Sequence, residues 1–286
     1  MNRDYQLGCF SYVPAGLFYL LSIYFTIGVF CSVIIDPNIN ALIRIIIMFI
    51  YSFILIFTLY YHFKSMTISN KIHCEENLII SPNEIEGNNL YCNICKIKRP
   101  KRAHHCRICG VCILKMDHHC PWIANCVGEK NEREFLYFLF GSTTSCIFIF
   151  FLTLKYFFDY VQNPKKYNYH NNIQYNYYIL VMKDIMKSFR TFTCPLSFAL
   201  GLVSFLIIWS FINNNVKYNM TAVEMLIYRD YEKCPDYNNN LKENLKRILK
   251  PYPIINSFIG NSEDINDEFE YKNFNEENIK LLKFEK

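Results

Sequence analysis

Four long apolar runs constrain this chain more than any other feature. The first, residues 13–35, holds 23 residues without a charge. A helix of about 20 residues spans ~30 Å, the thickness of a bilayer's hydrocarbon core. The second, 41–61, carries one charge, Arg44, near an end where its stem can snorkel to the headgroups. The third, 135–158, has Lys155 near its far end, and the fourth, 191–212, is uncharged with Pro195 near its start. A buried soluble helix would explain any one of them. Four, separated by polar linkers, read as membrane spans. The first starts late and is too long for a signal-peptide core, so it reads as a retained span. Only residues 36–40 join it to the second, which makes these two an antiparallel helical hairpin.

Composition agrees. Apolar residues are 52 % of the 286-residue chain, with 25 Phe and 22 Tyr, and charged residues only 19 %. A soluble domain carries more charge and fewer aromatics. The expected fold class is an all-α polytopic membrane protein with four transmembrane helices and a small cytosolic domain between helices 2 and 3. A net charge of +5 without a dense basic run excludes nucleic acid as a partner. Collagen, mucin and small disulfide scaffolds are excluded too.

Orientation follows from Lys and Arg in the loops. Loop 62–134 carries 11 of them, the 36–40 turn none, and loop 159–190 five. This bias predicts that 62–134, both termini and the C-terminal region 213–286 are cytosolic, with 159–190 outside. The pattern Asn219-Met220-Thr221 then lies on the side where it is not glycosylated. Runs such as Asn213–Asn215 read as loops of biased composition. Residues 241–250 place Leu241, Leu245, Ile248 and Leu249 at helical spacing. They predict a short amphipathic helix on the membrane or on the domain, stopped by Pro251 and Pro253. From about residue 261 the chain reads as a loose acidic tail.

The stretch from Cys92 to Cys126 holds seven Cys and four His. Cys92-x2-Cys95 is followed by nine residues, His105, six residues and Cys112. Fourteen residues on, the same pattern recurs as Cys106, Cys109, His119 and Cys126. The two sets interleave without sharing a residue. Each supplies three sulfurs and one imidazole, a closed tetrahedral set for Zn²⁺. Soft thiolates disfavour calcium and magnesium. The reducing side of the membrane disfavours disulfides, and histidine in both sets disfavours an iron–sulfur cluster. A segment this polar builds little core, so two structural zinc ions are expected to supply much of its folding free energy.

His104, His118 and Cys120 are left over. In the repeat Cys120 falls where Cys106 fell, but Ile123 stands where the partner Cys would be. Cys120 is therefore a thiol outside both metal sets. Its neighbours Asp117 and His118 supply a carboxylate that can orient an imidazole and an imidazole that can take the thiol proton. A nearby metal and basic groups can also activate the thiol. Only a few residues separate this cluster from the third span. A thiol at the membrane surface can meet a substrate whose chain lies in lipid and whose head lies in water, such as a long-chain acyl thioester.

Asp117-His118-His119-Cys120 followed by Pro121-Trp122, then Asn125-Cys126-Val127-Gly128 and Asn131, resembles the core of the DHHC cysteine-rich-domain protein S-acyltransferases, or palmitoyltransferases. The preceding run from Arg99 to Cys106 fits as well, so the cysteine-rich domain covers about residues 90–131. The resemblance implies a transfer in two steps. Cys120 takes an acyl group from acyl-CoA and passes it to a cysteine of a membrane-associated protein. It implies His118 as general base, Asp117 as its orienter, His119 as a metal ligand, and a cavity between the four helices for the acyl chain. Ser145 would lie toward the narrow end of that cavity. Arg107 and Lys115 would be candidates for the CoA phosphates. The family's Thr-Thr-x-Glu motif stands here as Thr221, Ala222, Val223 and Glu224. The missing second hydroxyl is expected to loosen the link between domain and helices. The Asp-Pro-Gly usual after the second helix is absent. The downstream aromatic and Asn motif is present in part, as Tyr237 and Asn244, with Asn240 in place of its glycine. The implied location is an endomembrane (Golgi or ER) or the plasma membrane, with lipid as the surrounding partner.

The chief rival is a zinc-stabilised membrane scaffold without catalysis, which would need only the metal ligands. A transporter would carry charges within its spans. A zinc hydrolase would need an open metal position, which neither set leaves. A thioesterase would share the nucleophile with water as acceptor. Cys9, Cys74 and Cys234 are cytosolic in this topology and could themselves accept acyl groups.

Overall fold

The structure is a computed structural model that describes residues 12–34, 36–72, 91–162, 177–227 and 240–250, all of which belong to one unit. Cys9, Cys74, Cys234, Tyr237 and the tail beyond residue 250 lie outside the described residues.

The chain is a multi-pass membrane protein. Its four long apolar helices are α1 (Val13–Ile34), α2 (Ala41–Thr67), α3 (Glu132–Gln162) and α4 (Tyr177–Phe211). Their outward faces carry Leu20, Ile45, Phe49, Phe53, Phe151, Phe198 and Trp209, all exposed. In the most apolar stretch of α2 only 11 % of residues are buried against protein. A helix apolar all round with so little protein cover needs lipid as its solvent. Helices approach closely at small residues. A Cβ on Gly141 would come within 2.5 Å of the Thr58 hydroxyl, and one on Gly28 within 2.6 Å of the Thr193 hydroxyl.

Three helices run past their expected ends, and paired polar groups explain two of the extensions. Expected over 135–158, α3 starts at Glu132, because Glu132 and Glu134 are buried against cations: Glu132 meets Lys115 at 2.9 Å and Arg247 at 2.7 Å, and Glu134 pairs with Arg133. Acidic residues in a first turn also suit the helix dipole. Expected to end at residue 61, α2 continues to Thr67, and buried His62 and Ser65 find partners there. The fourth helix, expected over 191–212, begins instead at Tyr177, with Pro195 inside it.

Arg44 does not reach for headgroups as expected. Its guanidinium donates to the carbonyls of Ile34, Asp36 and Ile39, at 3.0, 2.7 and 2.9 Å, and so caps the end of α1.

Between α2 and α3 lie three antiparallel hairpins: β1–β2 (Tyr91–Cys92, Ile97–Lys98), β3–β4 (His104–Cys106, Val111–Ile113) and β5–β6 (His118–Cys120, Asn125–Val127). They share one register, Cys92 opposite Ile97, Cys106 opposite Val111 and Cys120 opposite Asn125. In each, the residue four past the cysteine is left-handed: Lys96 (φ 58°), Gly110 (φ 69°) and Ala124 (φ 46°). The fourteen-residue repeat is thus a repeat of structure.

After α4 a π-helical turn (Ile212–Lys217) leads to α5 (Ala222–Ile227), and later comes α6 (Leu241–Leu249). The short helix expected near residue 241 docks on the protein: Asn244 and Ile248 are buried, and Arg247 reaches Glu132 at the start of α3.

Candidate active site and metal centres

The hairpins bring the eight predicted ligands into two sets, Cys92, Cys95, His105, Cys112 and Cys106, Cys109, His119, Cys126. In each set a hairpin tip supplies two sulfurs. The next hairpin supplies a His and a Cys that face each other across its strands, His105 opposite Cys112 and His119 opposite Cys126. Each tip is a tight turn in which the second Cys amide donates to the first sulfur, Cys95 to Cys92 at 3.4 Å and Cys109 to Cys106 at 3.3 Å.

The donors fit a tetrahedral ion. His105 Nδ1 lies 3.2 Å from Cys95 Sγ and 3.7 Å from Cys92 Sγ. His119 Nδ1 lies 3.4 to 3.8 Å from its three sulfurs. Zinc bonds of about 2.0–2.3 Å give tetrahedron edges of about 3.5–3.8 Å. The neighbouring sulfurs of Cys106 and Cys109, with burial, push the Cys126 thiol far up, so three thiolates can share this space only around a cation.

Cys120 belongs to neither set. It is buried in one cluster with Ile123, Val127, Phe135, Leu136, Phe138, Leu139 and Phe211, so its surroundings are the apolar end of the helix bundle. His118 is half-buried and interacts with the Cys120 thiol. Its Nδ1 meets Asp117 Oδ2 at 2.7 Å, which leaves Nε2 as the nitrogen for proton exchange. Burial alone would push His118 down, but the Asp117 carboxylate and the Cys120 thiol hold it up to about 9. The carboxylate thus stabilises the imidazolium that the ring becomes when it carries the thiol's proton.

Asp117 is 6 % exposed. Burial would raise its pKa, but hydrogen bonds from His118, the Ala222 amide and Asn215 keep it lowered. Oδ1 accepts from Ala222 N at 2.7 Å and from Asn215 Nδ2 at 3.1 Å. Both partners lie past α4, so the segment after the last span orients the site.

Residue 222 keeps one link to the site without a hydroxyl. A missing hydroxyl at 222 is expected to loosen the link, but the link runs through the backbone amide, which every residue except proline retains. Around it, Thr221 and Glu224 form a capping box: Glu224 N donates to Thr221 Oγ1 at 3.2 Å, and Thr221 N donates to Glu224 Oε2 at 2.8 Å. Glu224 also takes both arms of Arg102 at 2.6 and 2.7 Å, and Arg102 donates to the Asn219 carbonyl at 2.6 Å. Thr221 and Glu224 thereby tie the metal-binding hairpins to the helix bundle.

Lys115 corrects an expectation. As a CoA contact it would have to face solvent, but it is 4 % exposed and buried between Glu132 and Glu129. Together with Arg247 on the same Glu132 it fixes the start of α3. Arg107 is exposed at the tip of the second hairpin. Ser145 lies in α3 with its hydroxyl buried and without a hydrogen-bond partner among the described residues. Asn244 is fully buried in α6.

Sequence reasoning gave no role to several residues at this site. Asn215 is hidden in a run of asparagines and Arg102 in a basic stretch. Asn70, Asn125 and Asn131 stitch the third hairpin to the end of α2: Asn125 Nδ2 donates to the carbonyls of Ser65, Met66 and Ile68, and Asn131 Nδ2 to those of Ser65 and Cys126. Asn70 Nδ2 donates to Asn131 Oδ1 at 2.7 Å.

The family model described as DHHC palmitoyltransferase matches residues 85–229, half of the chain. Among similar proteins, palmitoyltransferase ZDHHC20 of Bos taurus is 58 % identical over 73 residues, which is 26 % of this chain and 20 % of that protein. Its Homo sapiens counterpart is 40 % identical over 73 residues, with the same shares. Palmitoyltransferase ZDHHC2 of Rattus norvegicus is 46 % identical over 88 residues, 31 % of this chain and 24 % of that protein. The matched segments thus span no more than a quarter of these relatives' length.

Proposed function

Because the chain belongs to the DHHC palmitoyltransferase family, we propose that it is a protein S-acyltransferase that moves a long-chain acyl group, palmitoyl first, from acyl-CoA to cysteines of membrane-associated proteins. One observation carries this reading. One hairpin thiol, Cys120, stands outside both metal sets, beside His118 and its carboxylate, at the apolar end of a membrane bundle.

The chemistry follows from the geometry. His118 takes the Cys120 proton, and the sulfur attacks the thioester carbonyl. The C–S bond to CoA breaks, a new thioester forms on Cys120, and the proton leaves with the CoA thiol. A cysteine of the acceptor protein then gives its proton to His118 and attacks in turn, so Cys120 leaves as the free thiol. Asp117 holds the ring in one tautomer and stabilises the imidazolium. Bound zinc would supply folding energy and rigidity rather than an open coordination position. The apolar cluster around Cys120 gives the acyl chain a way into the bundle, with Ser145 farther along α3 as a chain-length contact. Arg107 is the remaining candidate for the CoA phosphates. We place the hairpins and both termini on the cytosolic side, where acyl-CoA is available.

The test is labelling of detergent-purified protein with an alkyne-tagged palmitoyl-CoA, followed by neutral hydroxylamine. Wild type is expected to take a hydroxylamine-labile label, and Cys120→Ser none while still holding two zinc ions. If folded, zinc-loaded wild type takes no label at any chain length, the reading fails and a scaffold role replaces it.

A further inference from the structure

Among the described residues, no metal set holds the tip of the third hairpin. In the first two, the second cysteine of each tip, Cys95 or Cys109, fastens the turn to a metal set. In the third that position is Ile123, which is fully buried in the bundle cluster. The turn nevertheless keeps a left-handed residue four past its leading cysteine. Residues Pro121–Ile123 form one 3₁₀ turn, closed from Ala124 N to Pro121 O at 3.2 Å, with Ala124 left-handed. Its first residue is the nucleophile's immediate neighbour.

A side chain of α2 occupies the fastening role. His62 is 0 % exposed. Its Nε2 lies 3.0 Å from the carbonyl oxygen of Trp122, at the middle of the turn. Its Nδ1 lies 3.0 Å from the hydroxyl of Tyr19 on α1. A carbonyl only accepts, so Nε2 must carry the proton, and in the neutral ring Nδ1 accepts from Tyr19. The ring stacks on Phe18 at 4.2 Å between centroids and meets Phe138 at 4.9 Å. Both phenylalanines pack in the cluster that holds Cys120. His62 is therefore fixed on its other sides and can hold the turn rigidly.

We propose that His62 is a positioning residue for acyl transfer: it clamps the turn after Cys120, through the Trp122 carbonyl, where the first two hairpins use a metal ion. The inference rests on Cys120 being the acyl-transfer nucleophile. It adds that the thiol's alignment with His118 depends on a hydrogen bond from the second membrane helix.

The experiment uses the full-length chain in lipid nanodiscs. His62→Phe keeps a stacking ring and loses both hydrogen bonds. His62→Gln keeps an N–H donor at about the same reach. In His62→Phe, amide hydrogen exchange in the peptide covering residues 118–127 should speed up about tenfold while residues 91–113 stay unchanged. At saturating acyl-CoA the rate of acyl-enzyme formation should fall about tenfold, with KM changed by less than about twofold. Zinc content should stay at two per chain, and His62→Gln should recover most of both losses. If His62→Phe fails to fold, His62→Met, equally without a donor and more pliant, takes its place. Unchanged exchange over 118–127, or a Gln variant no better than Phe or Met, would overturn the proposal. If wild type itself takes no acyl group, the transferase reading fails, and the exchange data still judge the clamp.

Discussion

Hairpins one and two differ from hairpin three in what holds them. All three share register and a left-handed residue four past the leading cysteine. The first two spend their sulfurs on metal sets and pack only small clusters around those sulfurs. The third packs Cys120, Ile123 and Val127 into the helix bundle instead. One difference in the repeat, isoleucine rather than cysteine at 123, exchanges a potential metal donor for a core residue of the bundle. It also frees one thiol. The same scaffold thus commits its cysteines to donor sets in two tips and leaves one thiol outside them where the tip packs on helices.

The comparison breaks most completely at the metal. Cys109→Ala removes one of four donors from the second set, and the whole domain should lose protease resistance, because so small a core cannot replace the ion's contribution. Zinc measured per chain should fall below two, and acyl labelling should vanish. Two zinc ions retained in this variant would mean that the ligand assignment is wrong.

Next in size is a change confined to the third hairpin. Asp117→Asn keeps an acceptor for the Ala222 amide but presents an N–H to His118, so the ring is pushed to the wrong tautomer. Acyl-enzyme formation should drop by about 100-fold, with zinc and thermal stability near wild type. A loss below about threefold would show that Asp117 does not orient the base.

Ile123→Cys tests whether the sequence repeat alone makes a metal site. The variant restores a C-x2-C pair that begins at Cys120, but no fourth hairpin among the described residues supplies the other two donors, so zinc should stay at two per chain. The loss of a fully buried isoleucine side chain should cost about 2 kcal/mol, read as a lower unfolding midpoint, and should slow acyl transfer as the turn loosens. A third bound zinc would show that the bundle had been only a passive cover for this hairpin.

Much of this was legible because it was local. The four spans follow from composition over 20-residue windows, and both donor sets and the orphaned Cys120 follow from a fourteen-residue period. What was not legible depends on contacts between distant segments. Asn215 lies 98 positions from the aspartate it supports, and nothing in an Asn-Asn-Asn run marks which one turns inward. Lys115 shows a charge but not its partner, and burial between two glutamates removes it from any ligand. Ala222 reads as a lost hydroxyl, while the contact uses an amide that no side-chain pattern can report. His62 is one polar residue beyond the end of an apolar run, and its role exists only once the third hairpin lies against α2.

The smallest expected effect concerns the tie from Arg102, between the first two hairpins, to the segment after α4. Burial would raise Glu224, but Arg102 and the Thr221 amide hold its carboxyl below its ordinary value of 4.5. A depressed folded pKa means that the pair's stabilisation is present above about pH 4.5 and fades as pH falls through the lower, folded value. Glu224→Gln should therefore melt below wild type at pH 7, and the gap should narrow steadily on acidification below pH 4.5. Other carboxylates titrate alike in both proteins and cancel in the difference. Acyl transfer should fall only a few-fold, because Gln can still cap Thr221 and leave the Ala222 amide aimed at Asp117. A gap that stays constant from pH 7 to pH 3.5 would mean that the carboxylate's charge does not hold the hairpins to the bundle, and that the capping hydrogen bonds alone do.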